Sequence, residues 1–218
     1  MKKEITSAQI YAVFFKDPPQ IFKKKRIYGL KVAYLKKPTL GLLHDADMLF
    51  IITSRDISEE FFKEFRKQHK KFIIVVFARA DLVHLKQIAT TYILTKEPTR
   101  KIHWYIRLVV EMISLPSYVG LDYYDVAAIF KNSRNMTISC YSNESYNSSI
   151  GARMRTDHPN ATEALILAYV DRHFRLDYLY EVGEYFIGKK DINIIWAAQH
   201  KDNIRGMKCA LFAGGKHL

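Results

Sequence analysis

Residues 46–53 read Ala46-Asp47-Met48-Leu49-Phe50-Ile51-Ile52-Thr53, an almost unbroken apolar run. Its length and β-branched content suit a strand buried on both faces, as the strands of parallel sheets are. Lys71 to Ala78 (KFIIVVFA) repeats that signature. Between the two, Ile57 to Lys70 places Ile57, Phe61, Phe62 and Phe65 at helical spacing, with Ser58 or Asp56 available as a cap. Strand, helix, strand in that order predicts a βαβ unit with a parallel sheet.

Towards the N-terminus, Ile27 to Leu35 reads as another strand closed by Pro38. Ile5 to Phe15 alternates weakly and breaks at Asp17-Pro18-Pro19, where consecutive prolines remove ladder donors. Towards the C-terminus, Tyr92 to Leu94 makes a short strand. After Pro98, Thr99 to Leu115 predicts a long helix with an apolar stripe of Ile102, Ile106, Val109, Val110 and Ile113, stopped by Pro116. Gly120 to Asp125 opens a second helix that runs to about Asn132. The remainder reads as a strand at Met136–Tyr141, a polar loop, a helix at Ala161–His173, and strands near Leu176–Val182, Ile192–Gln199 and Met207–Ala213. Strands with short connections predict hairpins. The fold class is therefore α/β: a reduced, parallel, Rossmann-like sheet, a long central helix, then a smaller mixed α+β domain. The expected divisions are 1–98, 99–117 for the central helix, and 118–218.

The chain has 218 residues, 49% of them hydrophobic, enough for a sizeable core in one or two domains. It contains no apolar run of the roughly 20 residues needed to cross a bilayer. The start, MKKEITSAQIYAVFF, has no small-residue cleavage site, so a cytoplasmic location is expected. Cys140 and Cys209 lie far apart without metal-ligand spacing and are expected to be buried, reduced thiols.

The formal charge of +12 is the unusual bulk property. Lys23, Lys24, Lys25 and Arg26 run together, with Lys36 and Lys37 close behind. A second cluster spans Lys63, Arg66, Lys67, Lys70 and Lys71. Such an excess favours an acidic partner, either nucleic acid, an anionic membrane or an acidic protein; solvated faces are the alternative. Tyr11, Phe14, Phe15, Phe22 and Tyr28 lie among the early lysines, although core packing accounts for most of them.

Phosphate cradles need close approach of backbone amides, which generally demands glycine. Of nine glycines only Gly29 and Gly41 precede Gly120, and no GxxxxGK[ST], GxGxxG or GxSxG is present. The turn after the first buried strand, where an α/β sheet would hold a nucleotide, reads Thr53-Ser54-Arg55-Asp56-Ile57-Ser58-Glu59. Eight histidines show no HxxxH or HExxH spacing, and His69 and His84 read as surface residues. No enzyme activity, cofactor or metal is expected.

One pair of residues stands out. Asp122 and Asp125, three apart at a helix start, can lie on one face beside the positive end of the dipole. Locally they read as an N-terminal cap, Asp122 as the cap itself and Asp125 as the acidic first-turn residue.

Their surroundings add to this. The stretch Ile106 to Val126, IRLVVEMISLPSYVGLDYYDV, resembles the central helix and following loop of FtsZ, the bacterial member of the tubulin superfamily. His44 to Ile51 resembles that family's GADMVFI strand, and Asn160 to Ala164 its RATEA segment. Asn193 to Ala198 resembles NIIFGA, and Met207 to Gly215 the closing strand. The matches keep their order over roughly residues 43–215. Membership of this cell-division family would make Gly120, Leu121, Asp122, Tyr123 and Asp125 the loop that one subunit inserts into its neighbour's GTP site. Asp122 and Asp125 would match the two carboxylates that help to position the hydrolytic water there.

The departures count equally. The family's GGGTGTG loop is replaced by Thr53 to Ser58 without a glycine, and the N-terminal region is too short for the family's complete set of strands and loops. Gly120 replaces the asparagine that usually opens the synergy loop, and the shortened stretch from Tyr180 to Asp191 implies a lost helix. The resemblance thus implies a non-enzymatic FtsZ-like protein that binds FtsZ or a related filament and modulates or caps it. A basic module for nucleic acid or anionic membrane is the alternative; self-association is left open.

Overall fold

The computed structural model describes residues 8–15, 18–34, 45–55, 57, 73–147, 149–188 and 190–215. The chain forms two compact units, Met1–Ser114 and Leu115–Leu218.

The first unit contains β1 (Ile10–Phe14), α1 (Gln20–Lys24), β2 (Leu30–Tyr34), β3 (Met48–Thr53), β4 (Ile73–Ala78), α2 (Val83–Ile88), β5 (Thr91–Leu94) and α3 (Thr99–Ser114). Its strands lie in the order β2-β1-β3-β4-β5, every pair parallel. Met48 pairs with Ile73 and Thr53 with Ala78, so the two apolar runs are neighbours in one sheet. All six residues of β4 are buried, as a strand covered on both faces requires. The same holds for β1, whose five residues are all buried between β2 and β3; its weak alternation understated this. The helix expected at Ile57–Lys70, with its caps Asp56 or Ser58 and with Lys63, Lys67, Lys70 and Lys71, lies outside the described residues apart from Ile57.

Sequence reading missed α1. Pro19 precedes it with φ −52°, close to the helical value that its ring imposes. Phe22 anchors the helix, edge-on to Phe14 at 4.9 Å and to His103 at 4.7 Å. The His103 Nε2–H donates to the Lys25 carbonyl at 2.9 Å, satisfying backbone at the helix end. Gly29 then turns the chain with φ +81°, and a Cβ there would sit 2.5 Å from Ser114 Oγ, so glycine is needed twice over. Along α3 the stripe behaves as read: Ile102, Ile106, Val109 and Val110 are fully buried, with Ile113 half-buried.

The second unit contains α4 (Tyr123–Asn132), β6 (Asn135–Asn143), α5 (Ser149–Asp157), β7 (Glu163–Val170), α6 (Leu176–Ile187), β8 (Asn193–His200) and β9 (Met207–Gly214). The strand order is β6-β9-β7-β8, with β9 antiparallel to β6 and β7, and β7 parallel to β8. Two expectations are corrected. Ala161–His173 is not a helix; its centre is β7, and seven of the eight residues of β7 are buried. Leu176–Val182 is not a strand; it opens α6, whose buried Tyr178, Leu179, Val182 and Phe186 recur at helical spacing. A short apolar run has no periodicity that separates a buried strand from a buried helix. The helix expected to be lost after Tyr180 is instead present to Ile187. The hairpin expectation also fails among the described residues, because consecutive β8 and β9 are not neighbours: β9 lies between β6 and β7.

The core of this unit joins Ile150 and Met154 of α5, Val182 and Phe186 of α6, and Ile166 and Leu211 of the sheet. Helices α5 and α6 approach so closely at Gly151 that a Cβ would collide with the Val182 carbonyl oxygen. Cys140 pairs with Ala210 and Tyr141 with Cys209, which puts the two thiols on opposite sheet faces. Cys209 is buried as expected, and burial pushes its thiol well above its ordinary range, whereas Cys140, also expected to be buried, is only half-buried.

Candidate functional site

The loop from Pro116 to Asp122 is tied to β8. The Tyr118 amide donates to the Ala198 carbonyl at 2.9 Å, Val119 bridges the same residue, and Gln199 Nε2 donates to the Pro116 carbonyl at 3.4 Å. Ser117 Oγ donates to the Val119 carbonyl at 2.7 Å. Leu121 is buried, and so pins the loop beside exposed Gly120 and Asp122.

Asp122 caps α4. Its Oδ1 accepts the Asp125 amide at 2.9 Å, and Asp125 Oδ2 accepts the Asp122 amide at 3.1 Å. This reciprocal box satisfies two helix-end donors and matches the local reading of the pair. Each carboxylate commits one oxygen to the box, and both residues remain exposed, with Tyr124 77% exposed between them. Tyr123 is half-buried against the Tyr124 ring at 5.6 Å. Gly120 has no neighbour within 4 Å of a would-be Cβ, so this backbone does not itself require glycine.

At the end of β3, Thr53 Oγ1 accepts the Arg55 amide at 3.1 Å and donates to the Arg55 carbonyl at 2.9 Å. A side-chain hydroxyl thus occupies an amide in the turn where a phosphate-binding loop presents amides to its ligand. Asp56 and residues 58–72 are outside the described residues. Of the expected basic patch, Lys23, Lys24, Lys25 and Arg26 are exposed on α1 and the turn after it. Phe22, Tyr11 and Phe14 are buried, whereas Tyr28 is 69% exposed.

Sequence reading missed a cavity of about 220 Å³ in the second unit, lined by Tyr146, His173, Arg175, Asp177, Tyr178 and Glu181. It lies at the turn that leaves β7, a charged segment that the sequence pattern places at the end of a helix. Asp171 organises that turn. It accepts from Tyr146 OH at 2.7 Å, from the Gly206 amide at 2.6 Å and from the His173 amide at 2.8 Å. Burial opposes the charge, but these hydrogen bonds hold the Asp171 carboxyl below its ordinary range. Tyr146 sits at φ +47°, in the left-handed region, and burial raises its hydroxyl pKa. Burial also pushes the Tyr178 hydroxyl up to about 12. The Phe174 ring lies 5.9 Å from Tyr118 and 6.1 Å from Tyr146, linking the Asp122 loop to this cavity through aromatic contacts.

Among the described residues no three His, Cys, Asp or Glu side chains come together as a metal site would need. Nor is any helix among them long and apolar enough to cross a membrane.

No protein-family model matches the sequence, and no curated protein matches it. Solved structures do. An empty FtsZ dimer from M. jannaschii matches with a TM-score of 0.73 at 17% identity, over 98% of this chain and 90% of that one. The W319Y mutant of M. jannaschii FtsZ matches at 0.70 and 16% identity, over 96% and 91%. CetZ from Methanosaeta thermophila matches at 0.58 and 14%, over 82% and 64%. CetZ2 from Haloferax volcanii, solved as a GTPγS-bound protofilament, matches at 0.56 and 9%, over 78% and 66%. The chain has a tubulin/FtsZ-like α/β fold.

Proposed function

We propose that this chain is a non-enzymatic FtsZ-like subunit that docks its Gly120–Asp125 loop on the nucleotide site of an FtsZ-type filament, and so modulates or caps it. The observation that carries this reading is the exposed Asp122–Asp125 pair, held by a capping box at the head of α4. On an FtsZ-like fold it stands on a chain whose Thr53–Ser58 turn has no glycine. A subunit with such a loop and no phosphate cradle engages one neighbour and offers the next one no nucleotide. The protofilament and dimer among the similar structures support assembly as the setting.

The test separates the charge from the cap. Asparagine caps a helix as well as aspartate does, so the double variant Asp122→Asn, Asp125→Asn keeps the box and removes both charges. The wild type is expected to change the phosphate-release rate of FtsZ from the same organism, and the double asparagine variant to lose that effect. Equal effects from the two would overturn the docking reading. A titration of the chain alone with fluorescent GTP is expected to show no saturable binding; saturable binding would overturn the non-enzymatic part.

A further inference from the structure

The two units differ sharply in charge. Residues 1–114 hold 22 Lys and Arg against 11 Asp and Glu, whereas residues 115–218 hold 12 against 11. Of the +12 formal charge, +11 therefore belongs to the first unit. Within its described part, four consecutive cations (Lys23, Lys24, Lys25 and Arg26) stand exposed on α1 and its exit turn. Among the described residues no carboxylate pairs with Lys24, Lys25 or Arg26.

Packing anchors the backbone beneath them. Pro19 opens the segment, Phe22 and Ile27 are buried beneath it, His103 holds the Lys25 carbonyl, and Gly29 locks the exit against Ser114. The cations are thus presented on a fixed backbone, which lowers the ordering cost of binding. Arg100, also exposed, adds a further cation on α3 of the same unit. Arg107, one turn after His103, is tempered by its ion pair with Glu111 at 2.7 Å.

We infer that this rim binds nucleic acid through its phosphate backbone. Of the segment's apolar side chains, Phe22 and Ile27 point inward at 4% and 6% exposure and Ile21 is half-buried. Among the described residues the rim therefore presents no continuous apolar face to bury among acyl chains, which a membrane-lying helix supplies. Exposed Tyr28, two residues beyond Arg26, adds a ring on which an unpaired base can stack. Lysine and arginine contacts to phosphates carry no base information, so the binding is sequence-tolerant.

The test is fluorescence anisotropy of a labelled short DNA duplex, titrated at several salt concentrations. Four phosphate contacts give a log–log slope of about −3.6, roughly a hundredfold loss of affinity from 50 to 200 mM salt. The triple variant Lys24→Gln, Lys25→Gln, Arg26→Gln is expected to flatten that slope by about 2.7, with its circular dichroism and melting unchanged. The single variants Lys24→Gln and Arg26→Gln should each flatten it by about 0.9, and Arg205→Gln in the second unit should leave it alone. Absence of binding at low salt, or a triple variant with the wild-type slope, would overturn the inference. So would retention on phosphatidylserine vesicles without DNA binding, which would assign the rim to lipid. The filament-docking variants at Asp122 and Asp125 do not enter this test, so the two readings fail independently.

Discussion

At Asp122 the Oδ1 atom accepts the Asp125 amide while the Asp125 carboxylate returns the bond, so truncation to alanine removes a cap and a charge together. Asp122→Ala is expected to lower unfolding stability by about 1 kcal/mol, and Asp122→Asn by a few tenths at most. Urea denaturation of the two variants checks this. His158 offers a pH-dependent counterpart. It is buried, with Nδ1 2.9 Å from Thr137 Oγ1 and Nε2 3.0 Å from Ser139 Oγ. Burial holds its pKa below the ordinary 6.5, outweighing nearby Asp157. Because the folded pKa is depressed, the unfolded chain binds the proton first. The contribution is complete above about pH 6.5 and is lost as pH falls from there through the lower folded pKa. Stability measured from about pH 7.5 down to 5.5 should fall in the wild type and fall less in His158→Gln; identical profiles would contradict the assignment. At this scale the sequence disclosed the Asp122–Asp125 pair, because a cap is a local pattern. Asp171 and Tyr146 stayed hidden because they are 25 residues apart and meet only through the fold.

Among the elements, those with a long period or strong punctuation were legible. Helix α3, bounded by Pro98 and Pro116, and strands β3 and β4 stand where their patterns put them. Strand β7 and helix α6 were exchanged for a physical reason. EALILAYV is buried nearly throughout and gives no period, while α6 carries three tyrosines, which favour a strand reading, and an internal Gly183, which weakens a helix reading. That glycine has a packing role: a Cβ there would lie 3.2 Å from the Trp196 ring. Gly151 in α5 makes the sharper case. Alanine improves intrinsic helix propensity by about 1 kcal/mol, yet here its Cβ meets the Val182 backbone. Gly151→Ala is therefore expected to destabilise by more than about 1 kcal/mol net, read from the shift in urea midpoint; a stabilised variant would show that α5 and α6 are less tightly packed than the structure has them.

For the molecule as a whole, the order of motifs along the chain carried the fold, since each short resemblance is weak and only their sequence over residues 43–215 is specific. The charge imbalance was legible too, with both basic clusters falling before residue 98; the division at Ser114 puts +11 of it in the first unit. An FtsZ-like fold sets the architecture, and the function has to be argued from the site. In the function we propose, the Asp122 loop docks on the nucleotide of a filament subunit. The most direct measurement is co-sedimentation with FtsZ of the same organism in GTP, with the chain at substoichiometric amounts. The wild type is expected to pellet with the filaments and alter the pelleted mass, and Asp122→Asn, Asp125→Asn to stay in the supernatant. A wild type that remains in the supernatant with filament mass unchanged would contradict the proposed function.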